Sequence, residues 1–431
     1  MSTQQHAWLD QASNDPDLMQ DFLSICGFGG RLAGTGEDEQ ALDWALGRLQ
    51  GLGLEPQRLD IPYDGWSCRK ASLELMAPGS AANQLSCHAL LRSMSTPDTG
   101  LEAEVIDLGQ GREADFERLG QAVPGKIVLV RHEYPFSPDH VHRRRKYDLA
   151  VDHGASGFLI ANPYPGGGLM SGSSGRPVNG RGIPAAYIDH ASGQALADAL
   201  KSGPATVRLT IIGQEAPSAS ARIGILDIPG GSVDTIVISA HIDGHPLGAS
   251  ALDNATGVAV ALAAARALRG RISRDTHSLR ICLFSAEEWA LAGSRCYLDQ
   301  MSDAEKSRLK LNLNLDTVAG DDTLTALTSG FPALDAYVRE AAASAGLHIG
   351  THLPLMPNSD HANFARSGIP ALRLLAGFGK PDSRVRHILS GDDLPGIVKE
   401  SELRQALKAV CAMADFALHL PSDALAALAA R

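Results

Sequence analysis

The chain has 431 residues, 44% hydrophobic and 20% charged, a globular balance that excludes a disordered or fibrous protein and, by length, predicts two domains. With 38 Lys+Arg against 49 Asp+Glu the formal charge is −11, so nucleic acid is not an expected partner. The six cysteines, at 26, 68, 87, 282, 296 and 411, form no close CxxC pair and read as reduced packing residues.

Residues 1–20 are polar and acidic and lack a basic start followed by a long apolar run, so no secretory signal is expected. The longest apolar run, Val258 to Ala265, is too short for a membrane span, and a cytoplasmic location follows as the expectation. Ala41, Leu42, Ala45, Leu46 and Leu49 recur at helical spacing and predict an amphipathic helix over 37–52, ended by Gly51 and Gly53. From Trp66 to Gln214, short apolar runs such as GKIVLVR, SGFLIA and PAAYI alternate with Gly, Pro, Ser and Asn clusters. This texture predicts a strand-rich domain over 66–214, inserted into a larger domain made of 1–65 and 215–431. Within it, the basic run His142 to Lys146 reads as a solvated helix face. The Gly-rich stretch 166–182 lacks the strand-to-helix context of a phosphate loop and reads as a flexible loop.

After Ala221, strand and helix patterns alternate: RIGILDI, DTIVISA, a helix over 254–268, LRICLFS, a helix over 287–299, KLNLNL, LTALTS, a helix over 332–345, ALRLLA, and a helix over 399–418. The expected fold is α/β, a sheet with helices on both faces. Polar residues stand at the ends of its apolar strands: His241 and Asp243 after the first, Glu287 and Glu288 after the second, Asp316 after the third. Asp253 precedes an Ala-rich helix. Carboxylate and imidazole are zinc ligands, and a bridging carboxylate would let this set fill a pair of sites. Of the adjacent Glu287 and Glu288, one can bind metal while the other accepts a proton from water. Singly, each residue has an ordinary explanation. Glu-Glu complements a helix dipole, Asp253 can be an N-cap and Asp316 a turn former. Their joint position at one sheet edge resists those explanations.

The segments HIDGHPLGASALDNATGVAVALAAARAL, LFSAEEWALAGS, LNLDTVA and SDHANFARSGIPAL resemble, in order, the co-catalytic two-zinc exopeptidase family, which includes bacterial and yeast aminopeptidases, glutamate carboxypeptidase II and glutaminyl cyclase. GGRLAGTGEDEQALDWALGRLQGLGLEP is similar to that family's opening segment, and GKIVLVR through GASGFLIANP to the protease-associated domain that members carry as an insertion. The resemblance implies a three-layer zinc-exopeptidase sheet of the phosphorylase/hydrolase-like type. It also implies two zinc ions per subunit: Asp253 bridges them, His241 and Asp316 bind one, and Glu288 and His387 bind the other. Glu287 is then the base, and Asp243 orients the His241 ring. The segment SRVRHILSGDD departs from the family pattern, with Arg386 where many members have Tyr before the His, and with Asp392 or Asp393 available to support His387. His361, in SDH, is expected to support a ligand or to serve in packing rather than to bind metal.

The expected reaction is attack of a metal-held water on an amide carbonyl of a small peptide, as in an aminopeptidase or dipeptidase. An amidohydrolase of an amino-acid conjugate or other small metabolite is the alternative, because no secretory signal is expected and because Arg373, Arg384 and Arg386 could pair with a substrate carboxylate. Surface solvation explains those arginines equally well. A glutaminyl-cyclase-like transferase with one zinc and a non-enzymatic binding protein complete the alternatives.

Overall fold

The computed structural model describes residues 3–76 and 81–430. The chain divides into two compact units, one of Met1–Tyr63, Ser220–Ile388 and Asp392–Arg431, the other of Asp64–Ala219 with Leu389–Gly391.

β1 (Gln57–Leu75) starts in the larger unit and, in the inserted unit, its end pairs antiparallel with β2 (Asn83–Leu85). A second set comprises β3 (Cys87–Ala89), β4 (Leu101–Asp107), β5 (Ile127–Arg131), β6 (Gly157–Ala161), β7 (Ala185–Ile188) and the start of β8 (Thr206–Ile228). β4, β5, β6 and β7 run parallel in that order, flanked by antiparallel β8 and β3. Parallel neighbours need crossovers, and the unit accordingly contains the helices Arg143–Asp152 and His190–Ser202. The basic run differs from its expectation. Lys146 is fully buried, donates to the Arg131 carbonyl at 2.9 Å and meets Glu133 at 2.5 Å. Arg143, also buried, donates to the Ser173 carbonyl at 2.8 Å and the Tyr187 hydroxyl at 3.2 Å. Helical spacing turns residues 143, 146, 147 and 150 to one inward face, where Glu133 offsets Lys146 and hydrogen bonds to Ser173 and Tyr187 make the Arg143 cation tolerable. The Gly-rich stretch is irregular as expected, yet Met170, Ser171, Ser173 and Ser174 within it are buried.

In the larger unit the strands are the end of β8, β9 (Thr235–His241), β10 (Ser278–Phe284), β11 (Leu309–Leu315), β12 (Leu324–Leu327), β13 (Gly350–His352) and β14 (Ala371–Ala376). Their order is β13-β12-β14-β11-β9-β10-β8. β10, β9, β11 and β14 are mutually parallel; β8 runs antiparallel to β10, and β12 runs antiparallel to β14 but parallel to β13. Every residue of β9 is buried, as a strand covered on both faces requires, and Ile236, Val237 and Ile238 suit the pleat. The helices Leu18–Cys26, Thr256–Leu268 and Glu400–Leu418 pack together over one face, and Ala292–Asp299 with His361–Arg366 lies by β11 and β14. By length and composition Ala251–Arg271 could cross a membrane, but 83% of its apolar window is buried inside the protein, as befits a core helix.

The expected helix over 287–299 starts only at Ala292. Ala286, Ala290 and Leu291 take left-handed backbone angles, φ 57°, 64° and 61°, so the chain turns before it coils. Glu287 and Glu288 thus sit in a turn at the end of β10, and a helix dipole does not account for them.

Candidate metal centre

β9, β10 and β11 are adjacent and parallel, so their carboxyl ends open on one edge of the sheet. His241 ends β9, and Asp316 immediately follows β11. Asp253 reaches the same place from the turn before Thr256–Leu268. Asn254 fastens that turn: its amide donates to the Leu315 carbonyl at 2.9 Å, and its side-chain oxygen accepts from the N–H of Gly257 at 3.0 Å and of Thr317 at 3.3 Å. Gly257 lets the helix start this close, since an added Cβ would meet the Leu315 carbonyl oxygen at 2.2 Å. The Asp253–Asn254 peptide is cis.

Ligand atoms of His241, Asp253 and Asp316 all lie within 4.8 Å of one another. His241 Nε2 is 3.1 Å from Asp253 Oδ1 and 3.7 Å from Asp316 Oδ1, yet this buried nitrogen makes no hydrogen bond. On the far side of the ring, Nδ1 faces the Asp243 carbonyl at 3.1 Å and the Asp243 carboxylate at 3.6 Å. That contact fixes which nitrogen points at the carboxylates. The Asp243 carboxylate also accepts from the backbone N–H of Glu287 and of Glu288, both at 3.2 Å, tying the β9 and β10 ends together. A buried imidazole nitrogen without a hydrogen bond, converging with two carboxylates, is a donor set that fits zinc.

Glu288 and His387 stand outside that trio. Glu288 is buried beside Glu287; His387 closes the short helix Arg384–His387, with Nδ1 3.7 Å from Asp392 Oδ2 and a side chain 29% exposed. Asp393 instead works beneath the Asp253 loop. Fully buried, it accepts from the N–H of Leu252 at 2.7 Å and of Asp253 at 3.3 Å, and lies 3.4 Å from His245 Nε2. Sequence reasoning offered Asp393 to His387; nothing local in the chain signals that it serves residues some 140 positions away.

The three arginines divide. Arg373, 2% exposed, pairs with Asp316 Oδ1 at 2.9 Å and donates to the Asn358 carbonyl at 3.1 Å. It holds a metal-facing carboxylate instead of meeting substrate. Arg384 pairs with Glu402 and donates to the Ile397 carbonyl. Arg386 is exposed. His361 is fully buried, and burial together with Arg373 pushes its imidazole down to about 3.

The electrostatics reflect carboxylates gathered in a dry place. Burial raises the Glu287 carboxyl well above its usual range; His241 opposes this, while Glu288, Asp360 and Asp316 add to it. For His241, burial works against the charged form, but Glu287, Asp243, Asp253 and Asp316 outweigh it and hold the ring's proton well above the ordinary imidazole range. Asp316 is buried too, and there Arg373 and His241 overcome desolvation and keep it ionised. Burial moves the Asp360 carboxyl up to about 7. Such displaced affinities cluster at functional sites.

Residues 225–413 match the model for Peptidase family M28, and residues 90–196 match the PA domain. Among curated relatives, the chain is 27% identical over 377 residues to the probable lipoprotein aminopeptidase LpqL of Mycobacterium tuberculosis, covering 81% of this chain and 70% of that one. It is 27% identical over 383 residues to aminopeptidase YwaD of Bacillus subtilis, covering 84% and 77%. With leucine aminopeptidase 2 of Arthroderma otae it shares 26% over 314 residues, covering 72% and 59%. The solved structure of BSAP, a zinc aminopeptidase from Bacillus subtilis, superposes with a TM-score of 0.73 at 23% identity over 94% of this chain and 95% of that one. A Peptidase M28 precursor from Shewanella amazonensis superposes at 0.78, with 20% identity and 96% of each chain covered. These two likenesses concern the fold. The chain therefore carries a Peptidase family M28 domain together with a PA domain, the zinc-exopeptidase kinship that its motifs imply.

Proposed function

We propose that the chain is a zinc-dependent aminopeptidase acting on small peptides, with two zinc ions per subunit. Asp253 would be shared, His241 and Asp316 would complete one site, and Glu288 and His387 the other. The observation that carries this reading is the convergence of His241, Asp253 and Asp316 around a buried ring nitrogen that lacks a hydrogen bond. Relatives named as aminopeptidases, 26–27% identical across most of this chain, support the same activity.

Bound zinc supplies a Lewis acid that acidifies water and polarises the scissile carbonyl. Glu287 moves the proton. Its buried carboxylate takes one from water as the new C–O bond forms and delivers it to the amide nitrogen as the C–N bond breaks, leaving a carboxylate and a free amine. Burial raises this carboxyl's affinity for a proton above that of an exposed carboxylate, which suits it to hold the proton in transit. Asp243 orients His241, and Arg373 keeps Asp316 ionised and aimed.

The amidohydrolase alternative drew on Arg373, Arg384 and Arg386 as partners for a substrate carboxylate, and Arg373 and Arg384 are engaged with Asp316 and Glu402. A zinc-reconstituted preparation tested on aminoacyl anilides and on N-blocked amino acids decides between them. Cleavage of the anilides is expected; turnover confined to the N-blocked compounds would transfer the assignment to an amidohydrolase. We also propose a cytoplasmic location, supported by six free cysteines, which suit a reducing compartment. Fractionation of the native cells tests it, with recovery in the membrane or medium as the contrary result.

A further inference from the structure

The opening segment GGRLAG has no part in the chemistry above, yet it ends inside the metal edge. Arg31 is 1% exposed and donates to five backbone carbonyls. Its Nε reaches Ile242 at 3.0 Å. One terminal nitrogen reaches Ile25, Gly29 and Ala249 at 3.3, 2.8 and 2.8 Å, and the other reaches Ser250 at 2.9 Å. Ile242 lies between His241 and Asp243, and Ala249 and Ser250 begin the loop that ends in Asp253. One guanidinium therefore spans the two segments that deliver the ring nitrogen and the bridging carboxylate. The surrounding backbone is shaped to it. Arg31 and Ser250 both adopt left-handed angles, φ 55° and 45°, which persist only where neighbours enforce them. The Arg31 carbonyl accepts from the Gly244 N–H at 3.1 Å. A Cβ on Gly30 would strike the His245 carbonyl oxygen at 2.6 Å, so glycine admits the close approach.

We propose that Arg31 is a positioning residue of the zinc centre: its fork of donors sets the spacing between the His241 turn and the Asp253 loop, and so sets zinc affinity. The inference rests on the reading of this edge as a zinc centre. A planar fork with five donors matches carbonyls arriving from three segments; lysine keeps the charge but offers three donors from a single point. The cation also sits near Asp243, Asp253 and Asp393, with no direct ion pair to any of them among the described residues.

The test uses the full-length protein stripped of metal and titrated with zinc against a chromophoric chelator, for wild type, Arg31→Lys and Val338→Ala. Val338 is a buried residue of the helix Ala333–Ser344 and serves as a control for general destabilisation. Arg31→Lys is expected to weaken zinc binding by about tenfold to a hundredfold. It should lower kcat on an aminoacyl anilide while KM stays within about twofold, whereas Val338→Ala lowers the melting temperature alone. Unchanged zinc affinity in Arg31→Lys, or an equal loss in Val338→Ala, overturns the inference. A wild type that takes up no zinc overturns the functional reading and this inference with it, an outcome distinct from a zinc-binding wild type that is indifferent to Arg31. Should Arg31→Lys be recovered only unfolded, 15N-arginine-labelled wild type decides. The Arg31 Nε–H must be protected from solvent exchange with and without zinc, and exchange at the free rate contradicts the clamp.

Discussion

The inserted unit and the metal edge of the larger unit both bury charge, and they balance it differently. Around Lys146 the account closes: Glu133 faces it at 2.5 Å, the Arg131 carbonyl takes a further hydrogen bond, and Arg112 also pairs with Glu133. At the ends of β9 to β11, Asp243, Asp253, Glu287, Glu288, Asp316 and Asp360 gather near His241 and outnumber the two buried arginines there, Arg373 against Asp316 and Arg31 near Asp243 and Asp253. A buried ion pair with satisfied neighbours is a structural device. A surplus of buried carboxylates costs stability unless a cation joins them, so its persistence points to a bound metal.

Substitutions that tip either balance sharpen the contrast. Glu287→Gln removes the proton carrier and leaves the ligands, so peptide cleavage should slow by about 10²–10⁴-fold while zinc content is unchanged, as read by steady-state kinetics and elemental analysis. Near-full activity would reject Glu287 as the base. Arg373→Met deprives Asp316 of its buried partner and should cost about 3–5 kcal/mol in denaturant unfolding of the zinc-free protein; an unaffected midpoint would mean that Asp316 finds its compensation elsewhere. Lys146→Met tests the inserted unit. It should cost about 1–3 kcal/mol and leave zinc uptake and kcat alone, and lost zinc there would break the distinction between the two regions.

The smallest effect concerns protons. Burial disfavours the charged His241 ring, but the surrounding carboxylates prevail, so its affinity in the metal-free protein lies well above 6.5. A group raised in the folded state adds stability below its unfolded value, and that contribution is lost as pH rises through the folded value. Zinc must displace this proton, so binding should tighten as pH rises over the same range and release about one proton per chain near neutrality. Calorimetry in two buffers of different ionisation enthalpy measures it, and zero release would contradict a protonated ring.

Much of this was legible in the chain. β9, β10 and β11 announce themselves as apolar runs, so the positions of His241, Glu287, Glu288 and Asp316 at strand ends follow from hydrophobic continuity. The delayed start of the helix at Ala292 was not legible, because left-handed angles fall on Ala286, Ala290 and Leu291, where no glycine marks them. Nor did composition reveal β8 as one strand over Thr206–Ile228: the expected domain boundary after Gln214 falls inside it, and only RIGILDI at its far end reads as a strand. Partners distant in sequence were hidden altogether. In the sequence Arg373 reads as a substrate-pairing or solvated arginine and Asp393 as a support for His387, until the fold brings Asp316 and the Asp253 backbone against them. The inward turn of Lys146 likewise depends on Glu133 from another element.

Elemental analysis of purified, zinc-reconstituted protein, run beside Asp253→Ala, tests the central claim most directly. Two zinc ions per wild-type chain and a marked loss in Asp253→Ala are predicted. A wild type without stoichiometric zinc, or an Asp253→Ala variant that retains the full complement, would contradict the account.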